Sequence, residues 1–219
     1  MIAPKVHSEV LTVMIIDLVG YTKTTSQLKR EGIDRLHETF DSISLPLFDK
    51  YDGKVVKKIG DAFLVTFKSP TNAVLCGIAL QNEFRYYNLK LKPAIPLKIR
   101  VALHSGEVVL RVNDVYGDAV NTAARIEGFT KAEDIVFSET VYHAMNKNEI
   151  PYMFIGEKRF KGVKRPVKLF RVKKKYDTMR QINGRALHTI KRKSVNFLLF
   201  LLILGLIVLV LYGAWYYLL

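Results

Sequence analysis

The stretch Val10-Leu-Thr-Val-Met-Ile-Ile-Asp17-Leu18-Val-Gly20-Tyr21-Thr22 reads as a β-strand that is covered on both faces and ends on a carboxylate. Successive side chains of a strand point to opposite faces, so Leu11, Val13 and Ile15 line one side and Val10, Met14 and Ile16 the other. Apolar residues on both sides call for protein on both. Asp17 then has no place in the core unless a cation or a set of donors meets it. Gly20 permits a tight turn, and Thr22 is placed to cap a helix that starts there. A carboxylate beside free backbone N–H groups suits a metal ion and the phosphates it carries.

Outward from this strand, Ile33, Leu36, Phe40, Ile43 and Leu47 recur at intervals of three and four, which predicts a long amphipathic helix with Pro46 bending its last turn. Asp52-Gly53 makes a turn, Lys54 to Lys58 rises as a strand, and Ala62 to Phe67 returns as its hairpin partner past Gly60-Asp61. Ser69-Pro70 opens a second helix with a stripe of Ala73, Gly77, Leu80 and Phe84. Leu97 to His104 alternates as a strand and is expected to turn at Ser105-Gly106 into Glu107 to Val112. A third helix starts near Asp118, read as its N-cap, followed by a short strand at 135–137, a short helix at 139–146 and an antiparallel pair at 152–160 and 167–172. This order predicts an α+β fold: a ferredoxin-like antiparallel sheet with helices packed on one face.

The C-terminal part has a different composition. Residues 195–219 form 25 positions without a charge. As a helix they would span about 37 Å at ~1.5 Å per residue, more than the ~30 Å of a bilayer's hydrocarbon core. They are read as one transmembrane helix, with Trp215, Tyr216 and Tyr217 at the far interface. The formal charge is +14, and residues 173–219 hold eight Lys and Arg against one acid, so half the excess lies in this part. Residues 173–194 therefore read as a basic juxtamembrane linker attracted to anionic headgroups. Lys191, Arg192 and Lys193 before the helix, with no charge after it, place residues 1–172 in the cytoplasm of a single-pass membrane protein. The basic balance comes without a nucleic-acid motif, so no nucleic-acid partner is expected. No signal peptide is apparent, and the single cysteine, Cys76, sits on an apolar helix as packing.

Three places carry residues with no structural need to be there. Asp61 is a second carboxylate, set at the hairpin turn that would neighbour the end of the first strand. Two carboxylates at adjacent strand ends suit a two-metal phosphoryl-transfer site, although either alone is more often a turn or cap residue. In Asp114-Val-Tyr-Gly-Asp-Ala-Val-Asn121-Thr-Ala-Ala-Arg125, Asn121 and Arg125 fall at i and i+4 on one helix face while Ala119, Ala123 and Ile126 face the other way. A surface ion pair is the ordinary reading of such an arginine, yet here an amide and a cation project together. His104 reads as structural, and His7, His37, His143 and His188 lack metal-ligand spacing.

Across residues 9–172 these stretches resemble the catalytic domain of the class III nucleotidyl cyclases, the adenylate and guanylate cyclases. The resemblance runs through Ile15-Ile-Asp17-Leu-Val-Gly-Tyr-Thr22, Lys57-Lys-Ile-Gly-Asp61-Ala-Phe, Ile99-Arg-Val-Ala-Leu-His-Ser-Gly-Glu107, Asp114 to Arg125 and Phe160-Lys161-Gly162-Val163, in that order. It implies that Asp17 and Asp61 hold two Mg²⁺ or Mn²⁺ ions per site, with the Leu18 carbonyl as a further ligand. Gly20, Tyr21 and Thr22 adjoin the phosphates. It further implies that Lys57 and Asp114 read the purine, Asn121 orients the ribose, Arg125 stabilises charge on the reacting phosphorus and Lys161 contacts the terminal phosphates. Adenine offers an acceptor at N1 and a donor at N6, which lysine and aspartate complement; guanine offers two donors and would want a carboxylate at position 57. The implied activity is conversion of ATP to 3′,5′-cyclic AMP and pyrophosphate, with a guanylate cyclase or a catalytically silent membrane scaffold as the alternatives. In the resembled family one site draws on two subunits, which implies a head-to-tail homodimer.

Overall fold

A computed structural model describes residues 7–21, 25–112 and 114–174. The strand that opens the chain, β1 (His7–Leu18), is the spine of an eight-stranded sheet. Helix α1 (Arg30–Lys50) follows, then the hairpin β2 (Lys54–Ile59) and β3 (Ala62–Phe67), helix α2 (Pro70–Leu91) and the long strand β4 (Ile99–Arg111). After these come β5 (Asp114–Tyr116), α3 (Asp118–Phe129), β6 (Ile135–Ser138), α4 (Glu139–Ala144), β7 (Tyr152–Lys158) and β8 (Val167–Val172). The sheet runs β2-β3-β1-β4-β6-β8-β7, with β5 folded back on the end of β4. Its first four strands have the order and the antiparallel pairing of the ferredoxin-like unit, and β4 with β6 is the parallel pair.

Local chemistry accounts for the boundaries. Ser69 caps α2 by accepting the Asn72 N–H at 3.2 Å, and Pro70 fills the first helical position, where a missing N–H costs nothing. Pro46 lies inside α1, which nonetheless runs on to Lys50. The stripe expected on α2 is inside, at Ala73, Gly77, Leu80 and Phe84, whereas on α1 only Leu36 and Phe40 of the expected stripe are buried, Ile33, Ile43 and Leu47 are half-buried, and Phe48 is buried in addition. Cys76 is buried beside them, and burial pushes its thiol up to about 12, which leaves it unreactive.

Three expectations change. Ser105-Gly106 is not a turn: β4 is continuous and pairs with β1 from Leu18↔Ile99 to His7↔Leu110, and the hairpin turn comes after Arg111, into β5. The helices do not share one face. Met14, Ile16 and Leu18 pack under α1 and α2, whereas Leu11, Val13 and Ile15 pack with Ala119 and Ala123 of α3, so α3 covers the opposite side. Asp118 is not the cap of α3 but its first helical residue, and Gly117 is the N-cap at φ 136°, where a Cβ would meet the Glu107 carbonyl oxygen at 3.1 Å. Both faces of β1 are covered as its sequence requires, except at Val10, which stands 74% exposed near the strand's open start. The linker from residue 175 on and the membrane-spanning helix at 195–219 lie outside the described residues. Among the described residues no helix is long and apolar enough to cross a membrane.

Candidate active site

The ladder brings the two aspartates to one end of the sheet. Asp17 is opposite Ala62 on β3 and Arg100 on β4, and the Leu18 N–H donates to the Asp61 carbonyl at 3.3 Å. Asp17 is 8% exposed; burial raises its pKa, Arg100 opposes that rise, and Glu127 adds to it. Burial also raises Asp61, and the Asp17 charge raises it further. The two acids therefore sit close enough to resist ionising together.

One cation answers them. Arg100 donates to Asp17 Oδ2 through Nε at 2.8 Å and Nη2 at 2.6 Å, and its Nε also lies 2.5 Å from Glu127 Oε1 at the far end of α3. Two carboxylates, Asp17 and Glu127, thus share a single guanidinium with Asp61 close by, a cluster short of positive charge. Its donors are hard oxygens, the set that Mg²⁺ and Mn²⁺ prefer. Among the described residues no three His, Cys, Asp or Glu side chains are gathered to hold a metal by themselves. Two aspartates and the neighbouring Leu18 carbonyl suit an ion that keeps waters and takes substrate phosphates as its remaining ligands. Sequence reasoning missed Arg100 and Glu127, because an inward arginine on a strand gains meaning only when its cross-strand partner is known.

The second group of residues is gathered elsewhere. Lys57 Nζ lies 2.8 Å from Asp114 Oδ2, which joins β2 to β5. This hydrogen bond, helped by the Val115 N–H on Asp114 Oδ1 at 2.8 Å, holds the Asp114 carboxyl below the usual range. Lys58 points to the other face and pairs with Asp41 at 2.5 Å, as strand alternation demands. A cavity of about 730 Å³ opens beside Asp114, with Leu11, Val55, Val56, Leu110 and Val115 among its walls. Its walls mix these apolar side chains with charged ones, Glu9, Lys54, Lys68 and Arg111 among them, and it is large enough for a heteroaromatic ring system.

Asn121 and Arg125 lie exposed on α3, whose sheet side carries Ala119, Thr122, Ala123 and Ile126. Glu127 follows Arg125 by two residues, about 200° around the helix, so the residue that reaches Arg100 and Asp17 faces away from Arg125. A chain's own Arg125 is therefore turned from its own aspartates. Lys161 is exposed in the connection between β7 and β8, next to Gly162 at φ 82°. Gly20 makes its turn at φ 79°, and the Tyr21 hydroxyl is committed to His37 Nε2 at 2.9 Å, leaving its backbone rather than its ring for an anion. Thr22 lies outside the described residues. His104 is held by Ser138 Oγ at 2.8 Å, and burial lowers it to about 4, a neutral structural ring.

The family model of the adenylate and guanylate cyclase catalytic domain matches residues 3–174. The chain is 36% identical over 169 residues to the serine/threonine-protein kinase pkn2 of Myxococcus xanthus, covering 77% of this chain and 20% of that protein. It is 27% identical over 166 residues to the putative adenylate cyclase 3 of Rhizobium meliloti, covering 75% of this chain and 28% of the other. It thus spans only a minor part of the length of these relatives. Among solved structures, the adenylyl cyclase CyaB from P. aeruginosa aligns with a TM-score of 0.72 at 24% identity, over 78% of this chain and 96% of that one. The guanylyl cyclase Cya2 aligns with a TM-score of 0.68 at 24% identity, over 76% of this chain and 93% of the other. Those two likenesses speak for the fold, and the family model speaks for descent: this chain belongs to the adenylate and guanylate cyclase catalytic domain family.

Proposed function

We propose that the protein is an adenylate cyclase working as a head-to-tail homodimer, in which each site takes Asp17 and Asp61 from one chain and Lys57, Asp114, Asn121, Arg125 and Lys161 from the other. The ion pair Lys57–Asp114 carries the choice of ATP: it sets one donor and one acceptor side by side, the complement of adenine N1 and N6, with Asp114 at the edge of a cavity. The opposed directions of Glu127 and Arg125 on α3 support the exchange of half-sites between two copies.

In the reaction the ribose 3′ oxygen attacks the α-phosphorus, its proton leaves, and the bond from that phosphorus to the β-phosphate oxygen breaks, giving cyclic AMP and pyrophosphate. Two Mg²⁺ or Mn²⁺ ions would lower the pKa of the attacking hydroxyl and neutralise the leaving phosphates. Asp17, Asp61 and the Leu18 carbonyl would hold them. Asn121 fixes the ribose so that the hydroxyl is in line, Arg125 meets the charge that develops on the phosphoryl oxygens, and Lys161 draws the terminal phosphates aside. Gly20 and Tyr21 lend backbone N–H groups to the phosphates at the turn after β1.

The uncharged stretch 195–219 and the basic run before it support a single-pass membrane protein with this domain on the cytoplasmic side. The direct test of the activity is incubation of the purified protein with Mn²⁺ and an equimolar mixture of ATP and GTP. Cyclic AMP in excess of cyclic GMP is expected; a guanylate cyclase reverses the ratio, and a silent scaffold gives neither product.

A further inference from the structure

Most of the wall of the cavity of about 730 Å³ lies far from the paired aspartates. Leu11 on that wall stands six residues before Asp17, about 20 Å along β1 at ~3.3 Å per residue. Asp114 meets the cavity at one edge and gives its carboxylate to Lys57, which does not line it. The rest of the wall joins the start of β2, the end of β3 and the end of β4 to the first turn of α2, through Lys54, Lys68, Leu110 and Asn72. Its floor is apolar and open: Leu11, Val56, Leu110 and Val115 pack in one cluster, yet Val56 and Leu110 are only half-buried. Its rim is charged. Among the described residues Lys54, Lys68 and Arg111 have no carboxylate partner, Arg111 lying instead over the Tyr116 ring at 5.4 Å. Two acids oppose them: Glu9, 2.9 Å from His7 Nε2, and Asp52, which accepts from Asn72 Nδ2 at 3.2 Å. The charge of Asp114 is cancelled by Lys57. Three cations against two uncancelled carboxylates leave one positive charge.

We propose that this cavity binds an amphipathic organic monoanion, an alkyl or aryl body that ends in a single carboxylate. The body covers Val56 and Leu110, and the carboxylate sits between Lys54 and Lys68, which the β2–β3 ladder brings to one end where Lys54 pairs with Thr66. The first turn of α2 adds its positive end at the same place, through Ser69 and Asn72. A bare phosphate would meet the cations and leave the apolar floor wet, and an uncharged hydrocarbon would do the reverse. The volume falls within the roughly 300–1,000 Å³ of small-molecule sites. Neither Asp17, Asp61 nor a second copy takes part, so binding here is independent of the cyclase reaction.

The test is equilibrium dialysis of radiolabelled octanoate against the full-length protein in a fixed concentration of nonionic detergent. Only saturable binding counts, because partition into micelles does not saturate. One octanoate per chain is expected. Octanol keeps the chain and loses the charge, butyrate keeps the charge and halves the chain, and each should compete at least roughly tenfold more weakly than octanoate. Lys54→Glu/Lys68→Glu reverses two exposed charges outside the core and should lower octanoate affinity at least roughly tenfold. Absence of saturable octanoate binding overturns the proposal, as it would if a second copy closed the cavity. Octanol as strong as octanoate reveals an apolar patch that ignores charge, and butyrate or inorganic phosphate as strong reveals a simple anion site; either result overturns it. So does native affinity in the double variant, which places the acid elsewhere. None of these outcomes bears on cyclic AMP formation, which is measured separately with ATP and Mn²⁺.

Discussion

Because Arg100 neutralises only part of the charge around it, Asp17 and Asp61 should respond differently to replacement. Asp61 is held as a carboxylate against burial and against Asp17, so Asp61→Asn relieves a repulsion. It should leave the melting temperature unchanged or slightly raised while cutting cyclic AMP formation by about 10²–10³-fold, a loss typical of removing one electrostatic contribution to the transition state. Asp17→Asn leaves Arg100 a neutral amide oxygen in place of the charged acceptor of its two hydrogen bonds and should lose both activity and stability, by about 1–3 kcal/mol in a denaturant titration. Lys57→Glu places two carboxylates at the base-reading corner, which suits the N1–H and N2–H of guanine. The kcat/KM for ATP should fall at least roughly tenfold while that for GTP rises, measured by competition between the two nucleotides. His104 gives a pH dependence of stability unrelated to catalysis. Burial lowers its pKa from 6.5 to about 4, so between those values the unfolded chain takes up a proton that the folded one refuses. Stability is then complete above about pH 6.5 and is lost as the pH falls toward 4, by on the order of 3 kcal/mol across the window. Denaturant midpoints at pH 7 and pH 5 should differ in the native protein and converge in His104→Gln.

At the scale of elements, α3 is where the sequence was least informative. Its period identified a helix and a polar pair, Asn121 and Arg125, but nothing local says which face of a sheet a helix will cover. That choice depends on Gly106 and Ala119: a Cβ at 106 would come within 3.2 Å of the Ala119 Cβ, so glycine is what lets the helix lie close on β4. The same Gly106, following a serine, looked like a turn, and it became a strand residue because β1 supplies ladder partners along the whole of β4. By contrast β1, the β2–β3 hairpin and the stripes of α1 and α2 were legible, since alternation and the 3.6 period are fixed by residues near in sequence. The paired aspartates were found for that reason, at strand ends and turns, whereas Lys57 came only with the family resemblance. Arg100 and Glu127 were not, for their meaning lies in contacts 83 residues away and across a helix. The exposed face of α3 also predicts a clean phenotype. Arg125 makes no ion pair among the described residues, so Arg125→Ala should leave melting unchanged, lower kcat by about 10²-fold and move KM little.

On the scale of the whole molecule, the proposed half-site on each copy would make activity a function of association. The hairpin that carries Asp114 leaves Val112 93% exposed and Tyr116 49% exposed, apolar surface that a second copy would cover. Residues 1–172 form one compact unit, so they can be tested apart from the rest of the chain. In solution the specific activity of that fragment should fall as it is diluted below its dimer dissociation constant, and Val112→Asp should move the fall to higher concentration. The full chain in lipid vesicles should behave otherwise. The proposed membrane helix would confine each domain to a thin layer and so raise its effective concentration without any new contact, and dilution of the vesicles would leave the surface density of protein unchanged. Its specific activity should therefore hold constant over a dilution that silences the fragment. If the two curves coincide, the segment 195–219 has no part in assembly; if neither falls at any concentration while the fragment sediments as a monomer, one chain completes a site alone and the exchange of Arg125 between copies is wrong.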